Sequence, residues 1–429
     1  MNLFAKILFK IGTFLRNPSL HKYFLFLKES ENWSIEELKK YQFEKLKVFL
    51  IFVNKYSPYY NELFNKIGFN PESLKDIGDI KLIPVMDKNK LLNNISSIHS
   101  NFAFNKLIYS ETSGTSGQTL KFYKNEEWDS HNRATMFRGY SWYGLKPWEK
   151  NGYFWGYNFS KFESIKTNIL DSLQNRTRLF SYEEKEIIRF IKKIENASYL
   201  NGYSSMIYEI AKKINKLKLK GDFNFKMIKG TSEKIYPSYQ NEVREAFGAK
   251  IISEYGAAET GVIAYECKSG NMHINIENVI VEVEKGEIIV TNLLSKSFPI
   301  IRYKLGDFIK LADDNFRCDC GRKHPVILDV LGRVGKKIIG KNNVYPSLTF
   351  YYVFKKLADR DINLNYQAIQ NEKGKVILKI EQNTSEHIKI IEDDLYTFFK
   401  DDVKFNIIFD SKIHDMNGKL KDFVTTIDD

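Results

Sequence analysis

The segment YSETSGTSGQTLKFY, Tyr109 to Tyr123, sets glycines and hydroxyl side chains between two apolar stretches. Glycines let successive backbone N–H groups converge on one point, and neighbouring hydroxyls add donors, so such a loop suits phosphate oxygens. No Lys-Ser or Lys-Thr follows, as the common ATPase loop would require, and no G-x-G fingerprint of a dinucleotide fold occurs in the chain. The one near match, GKKIIGKN at Gly335 to Asn342, lacks the hydroxyl that would ligate magnesium. Further on, SEYGAAETG places Tyr255 and Gly256 four and three residues ahead of Glu259. An aromatic face there can cover a purine while the carboxylate holds a magnesium ion. IIRYKLGDFIKL sets Asp307 after a glycine, where it can accept from two ribose hydroxyls. LGRVGKK supplies Arg333, and NGKLKD presents Lys419 behind Gly418, with Lys421 as its rival.

All three cysteines fall in the segment after the tyrosine-glycine motif. YECKSGNMH contains Cys267 and His273, and FRCDCGRKH contains Cys318, Cys320 and His324. Three thiolates and one imidazole form the closed ligand set of a structural zinc ion, with either histidine as the fourth ligand. Three buried thiols are the plainer alternative. A nucleophilic cysteine is disfavoured, because neither a helix N-terminus nor a general base is evident beside them. An odd cysteine count in a chain of 429 residues also points to a reducing compartment.

These residues need a scaffold. With 43% hydrophobic residues, nine prolines and no low-complexity tract, the chain has material for two or three domains. The first hundred residues read as helices, one of them opened by Ser34 with Glu37 three positions on. From about Leu107, short apolar runs alternate with helical segments such as Glu184 to Ile194 and Tyr203 to Lys218, the texture of an α/β body. VIVEVEKGEIIVTNL predicts a hairpin turning at Lys285-Gly286, and past Gly335 strands and helices alternate in a small α+β unit. The N-terminus carries Phe4, Ile7, Leu8, Ile11, Phe14 and Leu15 at helical spacing among Lys6, Lys10 and Arg16. It is too short and too charged to span a bilayer, so docking on the protein's own body is the first expectation and lying on an acidic membrane surface the second. The expected location is the cytoplasm, or the periphery of the membrane's inner face. A formal charge of +12 suits nucleotides, an anionic membrane or nucleic acid. No arginine-rich segment or nucleic-acid module accompanies it, so nucleic acid is not an expected partner.

In this order and at these separations the pieces resemble the adenylate-forming superfamily of acyl-CoA synthetases, adenylation domains and luciferases. SPYYNELFNKIGFNPESLKDIGDIKLIPVMDKNKL, ETSGTSGQTLKFYKNEEWDSHNRATMFRGYSWYG and CDCGRKHPVILDVLGRVGKK are similar to phenylacetate-CoA ligase and coenzyme F390 synthetase. In particular they resemble the shorter CapK-like members found among capsule and surface-polysaccharide genes. The resemblance extends from about Trp33 to Lys421. Two features depart from the pattern: Gln118-Thr119 replaces the usual Gly-Lys-Pro ending of the loop, and Gly335-Lys336 stands where many relatives have acidic residues.

The resemblance implies an α/β fold. A large N-terminal adenylate-forming domain of α/β and β-rich subdomains would carry a small mobile α+β C-terminal domain. Residues 1–100 would be the helical region of the large domain, 101–334 its core and 335–429 a lid pivoting at Gly335 or Lys336. It also implies a ligase that joins a small carboxylic acid to AMP and passes the acyl group to coenzyme A, a carrier thiol, or an amine or hydroxyl of a sugar nucleotide. Ser113, Gly114, Thr115, Ser116 and Gly117 would cradle phosphates. Glu259 would hold magnesium, Asp307 the ribose, and Tyr255 and Gly256 the adenine, helped by Gly230, Thr231 and Ser232. Arg333 would assist near the domain junction, and Lys419 would bridge carboxylate and α-phosphate. Zinc-bearing relatives favour His273 beside Cys267, Cys318 and Cys320. Acid specificity is expected in the aromatic-rich stretch Tyr140 to Phe159 and at Ala257 and Ala258. A fold that binds nucleotide without catalysis is the remaining alternative.

Overall fold

The computed structural model describes residues 3–112, 120–154, 161–179, 184–219, 221–333, 337–347, 349–413 and 422–427. The N-terminal region is helical: α1 (Leu3–Arg16), α2 (Leu20–Ser30), α3 (Ile35–Tyr56), α4 (Pro58–Ile67), α5 (Lys88–Asn93) and α6 (Ile95–Ile98). Helix α3 opens on a complete capping box, Ser34 and Glu37 each accepting the other's backbone N–H. A two-stranded ribbon follows, β1 (Leu107–Glu111) with β2 (Lys121–Asn125), and runs into α7 (Glu126–Trp142).

The central sheet begins with β3 (Asn151–Phe154), then α8 (Lys161–Leu173), β4 (Arg176–Arg178), α9 (Glu184–Ile194) and β5 (Tyr199–Tyr203). It continues through α10 (Ser204–Lys216), β6 (Met227–Thr231), α11 (Pro237–Phe247) and β7 (Ile251–Ala257). Strands β4, β3, β5, β6 and β7 lie side by side and parallel, as helical crossovers require. After β7 the connections shorten and the sheet turns antiparallel through β8 (Gly261–Glu266), β9 (Met272–Ile274), β10 (Val279–Glu284), β11 (Glu287–Asn292), β12 (Ile300–Leu311) and β13 (Val326–Arg333). The spatial order is β10-β11-β12-β13-β9-β8-β7-β6-β5-β3-β4. The β10–β11 turn falls at Lys285 and Gly286, both with positive φ, the conformation that a two-residue hairpin turn demands.

The C-terminal part holds β14 (Lys337–Ile339), β15 (Val344–Pro346), α12 (Thr349–Ala358), β16 (Tyr366–Glu372), β17 (Lys375–Ile380), α13 (Ile388–Phe399), β18 (Lys404–Ile408) and β19 (Phe423–Thr425). Its four-stranded sheet has the order β18-β17-β16-β19. This unit is docked on α10 and α11. Lys212 pairs with Glu381, the Tyr236 hydroxyl donates to Asp422, and one apolar core runs from Phe247 and Ile251 to Phe350 and Tyr366.

Helix α7 is the axle of the large unit, buried around much of its circumference between α2 and the sheet. Gly139 sits there because a Cβ would lie 2.6 Å from the ring of Tyr265. Arg138, one turn away from Thr135, is buried to 1% exposure and is held by Glu277, Asn275 and the carbonyl of Leu27. Ser30 and His324 complete the shell of Glu277, so one carboxylate ties α2, α7 and two loops. Burial alone would raise the Glu277 carboxyl, but Arg138 and His324 outweigh it and hold it well below the ordinary carboxylate range.

Helix α1 docks on the protein's own body, the first expectation, but not through its broad apolar face. It docks through Ala5 and Phe9, the latter packed on Phe137 and Trp148. Phe4, Ile7, Ile11, Phe14 and Leu15 face solvent instead. No helix among the described residues is long and apolar enough to cross a membrane.

Removing one partner of a buried pair strands the other charge, so Arg138→Met is expected to lower the unfolding free energy by about 3–5 kcal/mol. Arg138→Met/Glu277→Leu should recover most of that loss in urea denaturation. A depressed carboxylate contributes stability above its unfolded pKa and loses it as pH falls through its native value. The gap between wild type and Arg138→Met should therefore be full above about pH 5 and shrink in acid.

Candidate functional site

The sheet register creates the first constellation. Val326 pairs with His273, and His273 with Tyr265, so the loop carrying Cys318 and Cys320 meets the end of β8 and its Cys267. The ligand atoms of Cys267, His273, Cys318 and Cys320 all lie within 4.8 Å of one another. The Cys267 and Cys318 sulfurs are 3.7 Å apart, close to the ~3.8 Å that two thiolates take around a tetrahedral zinc ion. His273 Nδ1 donates to the carbonyl of His324, which leaves Nε2 facing Cys320 at 3.1 Å. Burial lowers the His273 pKa to about 4, so this nitrogen keeps its lone pair. His324 turns its own ring away onto Glu277 at 3.0 Å. The donor set thus fits zinc, and the geometry places His273 rather than His324 among the thiols. Burial raises the Cys267 thiol to about 11, which argues against a free nucleophile.

The second constellation lies where the parallel strands end. Gly230 and Thr231 close β6, beside Ser253 and Glu254 of β7, and Ser232 follows with φ +65°. Such strand ends are where open α/β sheets bind ligands. Tyr255 leaves β7 and its hydroxyl donates to Asp307 at 2.8 Å. Asp307 in turn stands opposite Arg333 in the β12–β13 register. Gly256 sits in a bulge so tight that a Cβ would come 2.2 Å from the carbonyl of Gly261. At the apex of the same hairpin Glu259 is buried to 7% exposure, its backbone carbonyl accepting from Asn292. Ser113, Gly114, Thr115, Ser116, Gly117, Gly335, Lys336, Lys419 and Lys421 lie outside the described residues. The stem of the serine-rich loop is nonetheless closed, Thr112 and Leu120 exchanging backbone and hydroxyl hydrogen bonds.

The comparisons follow from this geometry. No family profile matches the chain. Protein CapK of Staphylococcus aureus is 22% identical over 419 residues, 90% of this chain and 88% of that protein. A 2-hydroxyisobutyryl-CoA ligase in the postadenylation state, in complex with R3-HIB-AMP, superposes with a TM-score of 0.73 at 16% identity, covering 94% of this chain and 92% of its own. The chain is thus similar to CapK over nearly its whole length and shares the fold of the 2-hydroxyisobutyryl-CoA ligase. The same ligase with 2-HIB-AMP and CoA in the thioesterification state gives 0.58.

Sequence reasoning missed several residues of this ligase fold. Lys124 leaves the serine-rich loop on β2, buried over Phe122 and Trp128. Burial lowers its pKa, and the charges of Asp129 and Glu259 work against that shift. Its signal was a lysine on an inward position of KFYKN, which reads as a surface residue until the register is known. Lys229 and Glu254 form an ion pair at 2.7 Å beneath Thr231, and nothing local in MIKGT announces it. The aromatic stretch expected to select the acid is spent largely on packing. Trp142 lies against Arg322 and His273, Tyr143 donates to the carbonyl of Glu266, and Arg176 and Arg178 flank Tyr153. Ala257 and Ala258 pack on the β-rich core, and residues 155–160 lie outside the described set.

Protein purified without chelators is expected to carry about one equivalent of zinc. His273→Ala should bring it below half an equivalent while His324→Asn retains the metal. Wild-type protein with less than half an equivalent would count against the site.

Proposed function

We propose that this chain is an ATP-dependent ligase that activates a carboxylic acid as an acyl adenylate and transfers the acyl group to an acceptor. The observation carrying the reading is the meeting of Tyr255, Asp307 and the Arg333 register at the mouth of the parallel strands, in a fold shared end to end with a ligase holding HIB-AMP.

A free acid does not acylate thiols or amines at neutral pH, because hydroxide leaves poorly. The substrate carboxylate attacks the α-phosphorus of ATP, the bond to the bridging oxygen breaks, and pyrophosphate departs in line. The protein's work is positioning and charge neutralisation. Ser113 to Gly117 receive the departing phosphates through backbone N–H groups, so the Gln118-Thr119 departure is tolerated. Asp307 takes the ribose hydroxyls, with Tyr255 and the Gly230 to Ser232 turn around the adenine and Arg333 at the junction. Bound magnesium neutralises the phosphates, and Glu259 fits that duty as a nearly buried carboxylate on a turn fixed by Asn292. Lys419, favoured over Lys421 by the preceding Gly418, stabilises charge spreading between carboxylate and α-phosphate. Cys267, His273, Cys318 and Cys320 would hold a structural zinc ion that staples two β segments and takes no part in this chemistry.

In this reading the chain divides near residue 335, and the C-terminal unit pivots at Gly335 or Lys336. The higher score with the postadenylation state than with the thioesterification state supports a lid docked as it is before transfer. The CapK resemblance favours a sugar-nucleotide or polysaccharide acceptor, in the cytoplasm. Coenzyme A is the second reading, supported by the ligase complex that contains it.

Carboxylate-dependent ATP–pyrophosphate exchange across aryl acids, short hydroxy acids and amino acids is expected to identify the substrate. Lys419→Ala should then reduce exchange at least about a hundredfold with ATP binding little changed. Asp307→Ala should raise the KM for ATP by about tenfold or more. Exchange with no acid of the panel would sink the proposal, and adding coenzyme A or amine acceptors to an active pair decides the second step.

A further inference from the structure

Helix α1 carries an apolar face that nothing in the chain covers among the described residues. Leu3, Phe4, Phe14 and Leu15 are 64%, 65%, 74% and 69% exposed, and Ile7 and Ile11 are close to half exposed. At 3.6 residues per turn these six side chains share one arc of roughly 120°. Ala5 and Phe9 occupy the opposite arc and hold the helix on Phe137 and Trp148. The attachment is firm at the C-terminal end as well, where Lys106 donates to the carbonyls of Leu15 and Arg16 and Asn17 donates to Asp129. The apolar arc is therefore displayed by a fixed helix, not by a fraying end. Beside it, α8 adds exposed Ile169, Leu170 and Leu173.

Charge chooses the occupant. LFAKILFKIGTFLR contains no acidic residue, and Lys6 and Lys10 line one edge of the apolar arc, while Arg16 turns to the docked side and pairs with Asp129. We propose that α1 seats the protein on an anionic lipid surface, its phenylalanines and leucines entering the headgroup boundary while Lys6 and Lys10 meet lipid phosphates. A second copy is a poorer partner, because a two-fold pairing of this face would bring one lysine edge near the other. The proposal is independent of catalysis. It gives a reaching advantage to an enzyme whose acceptor is tethered to that surface.

Flotation of the full chain with vesicles tests it. Vesicles of phosphatidylglycerol and phosphatidylcholine are expected to carry the protein, with binding to phosphatidylcholine alone weaker by about tenfold or more. Phe4→Ser/Phe14→Ser and Lys6→Glu/Lys10→Glu should each weaken binding to the anionic vesicles by about tenfold or more. Polar replacements at such exposed positions leave the fold intact, which circular dichroism and ATP binding would verify. Absence of wild-type flotation with anionic vesicles, or flotation indifferent to both double substitutions, overturns the proposal. So does a dimer in sedimentation velocity that Phe4→Ser/Phe14→Ser dissolves, since the face would then belong to a second copy.

Discussion

The reversal of chain direction between β7 and β8 is the constraint on which the molecule turns. Up to Ala257 the sheet is parallel and its ligand edge is assembled from strand ends; from Gly261 onward it is antiparallel. One hairpin accomplishes the change and serves both constellations. Its outgoing strand contains Tyr255, its apex carries Glu259, and Cys267 directly follows its returning strand. Gly256 is indispensable because the bulge that starts the reversal brings two backbones closer than any side chain permits. A shift of register by one residue would send Tyr255 to the other face and carry the first thiol away from His273.

Much of this was legible because it rests on local chemistry. The capping box at Ser34, the Lys285-Gly286 turn and the helix from Glu184 to Ile194 depend on neighbours within a few residues, and sequence spells those neighbours out. The clustering of Cys267, His273, Cys318 and Cys320 was also legible, since thiols and imidazoles are rare enough for their spacing to carry weight. The choice between His273 and His324 was not. It depends on Glu277, which competes for His324 from another loop and is itself placed by Arg138 on a helix far away in sequence.

The same logic explains where side chains sit otherwise than local pattern suggests. An amphipathic N-terminal helix ordinarily turns its broadest apolar face inward, but α1 packs through Ala5 and Phe9, the latter on Phe137 and Trp148. The aromatic run from Tyr140 was assigned to acid recognition because aromatic side chains line pockets, yet they also fill space between a buried helix and a sheet. Lys124 and Lys229 are invisible to pattern reading for the opposite reason. A buried lysine looks like any surface lysine until partners such as Glu254 are placed.

The contact between the C-terminal unit and α10–α11 has a kinetic meaning. Tyr236, Tyr239 and Ile251 share an uninterrupted apolar core with Phe350, Val353 and Tyr366, and only a few polar pairs fringe it. Separating such surfaces hydrates aromatic rings, so it carries a positive heat-capacity increment and a barrier that varies with temperature. If the unit must leave this seat between half-reactions, the opening step competes with chemistry for control of turnover. Warming would then shift the balance between the two, bending the Eyring plot of the complete cycle while leaving that of the first half-reaction straight.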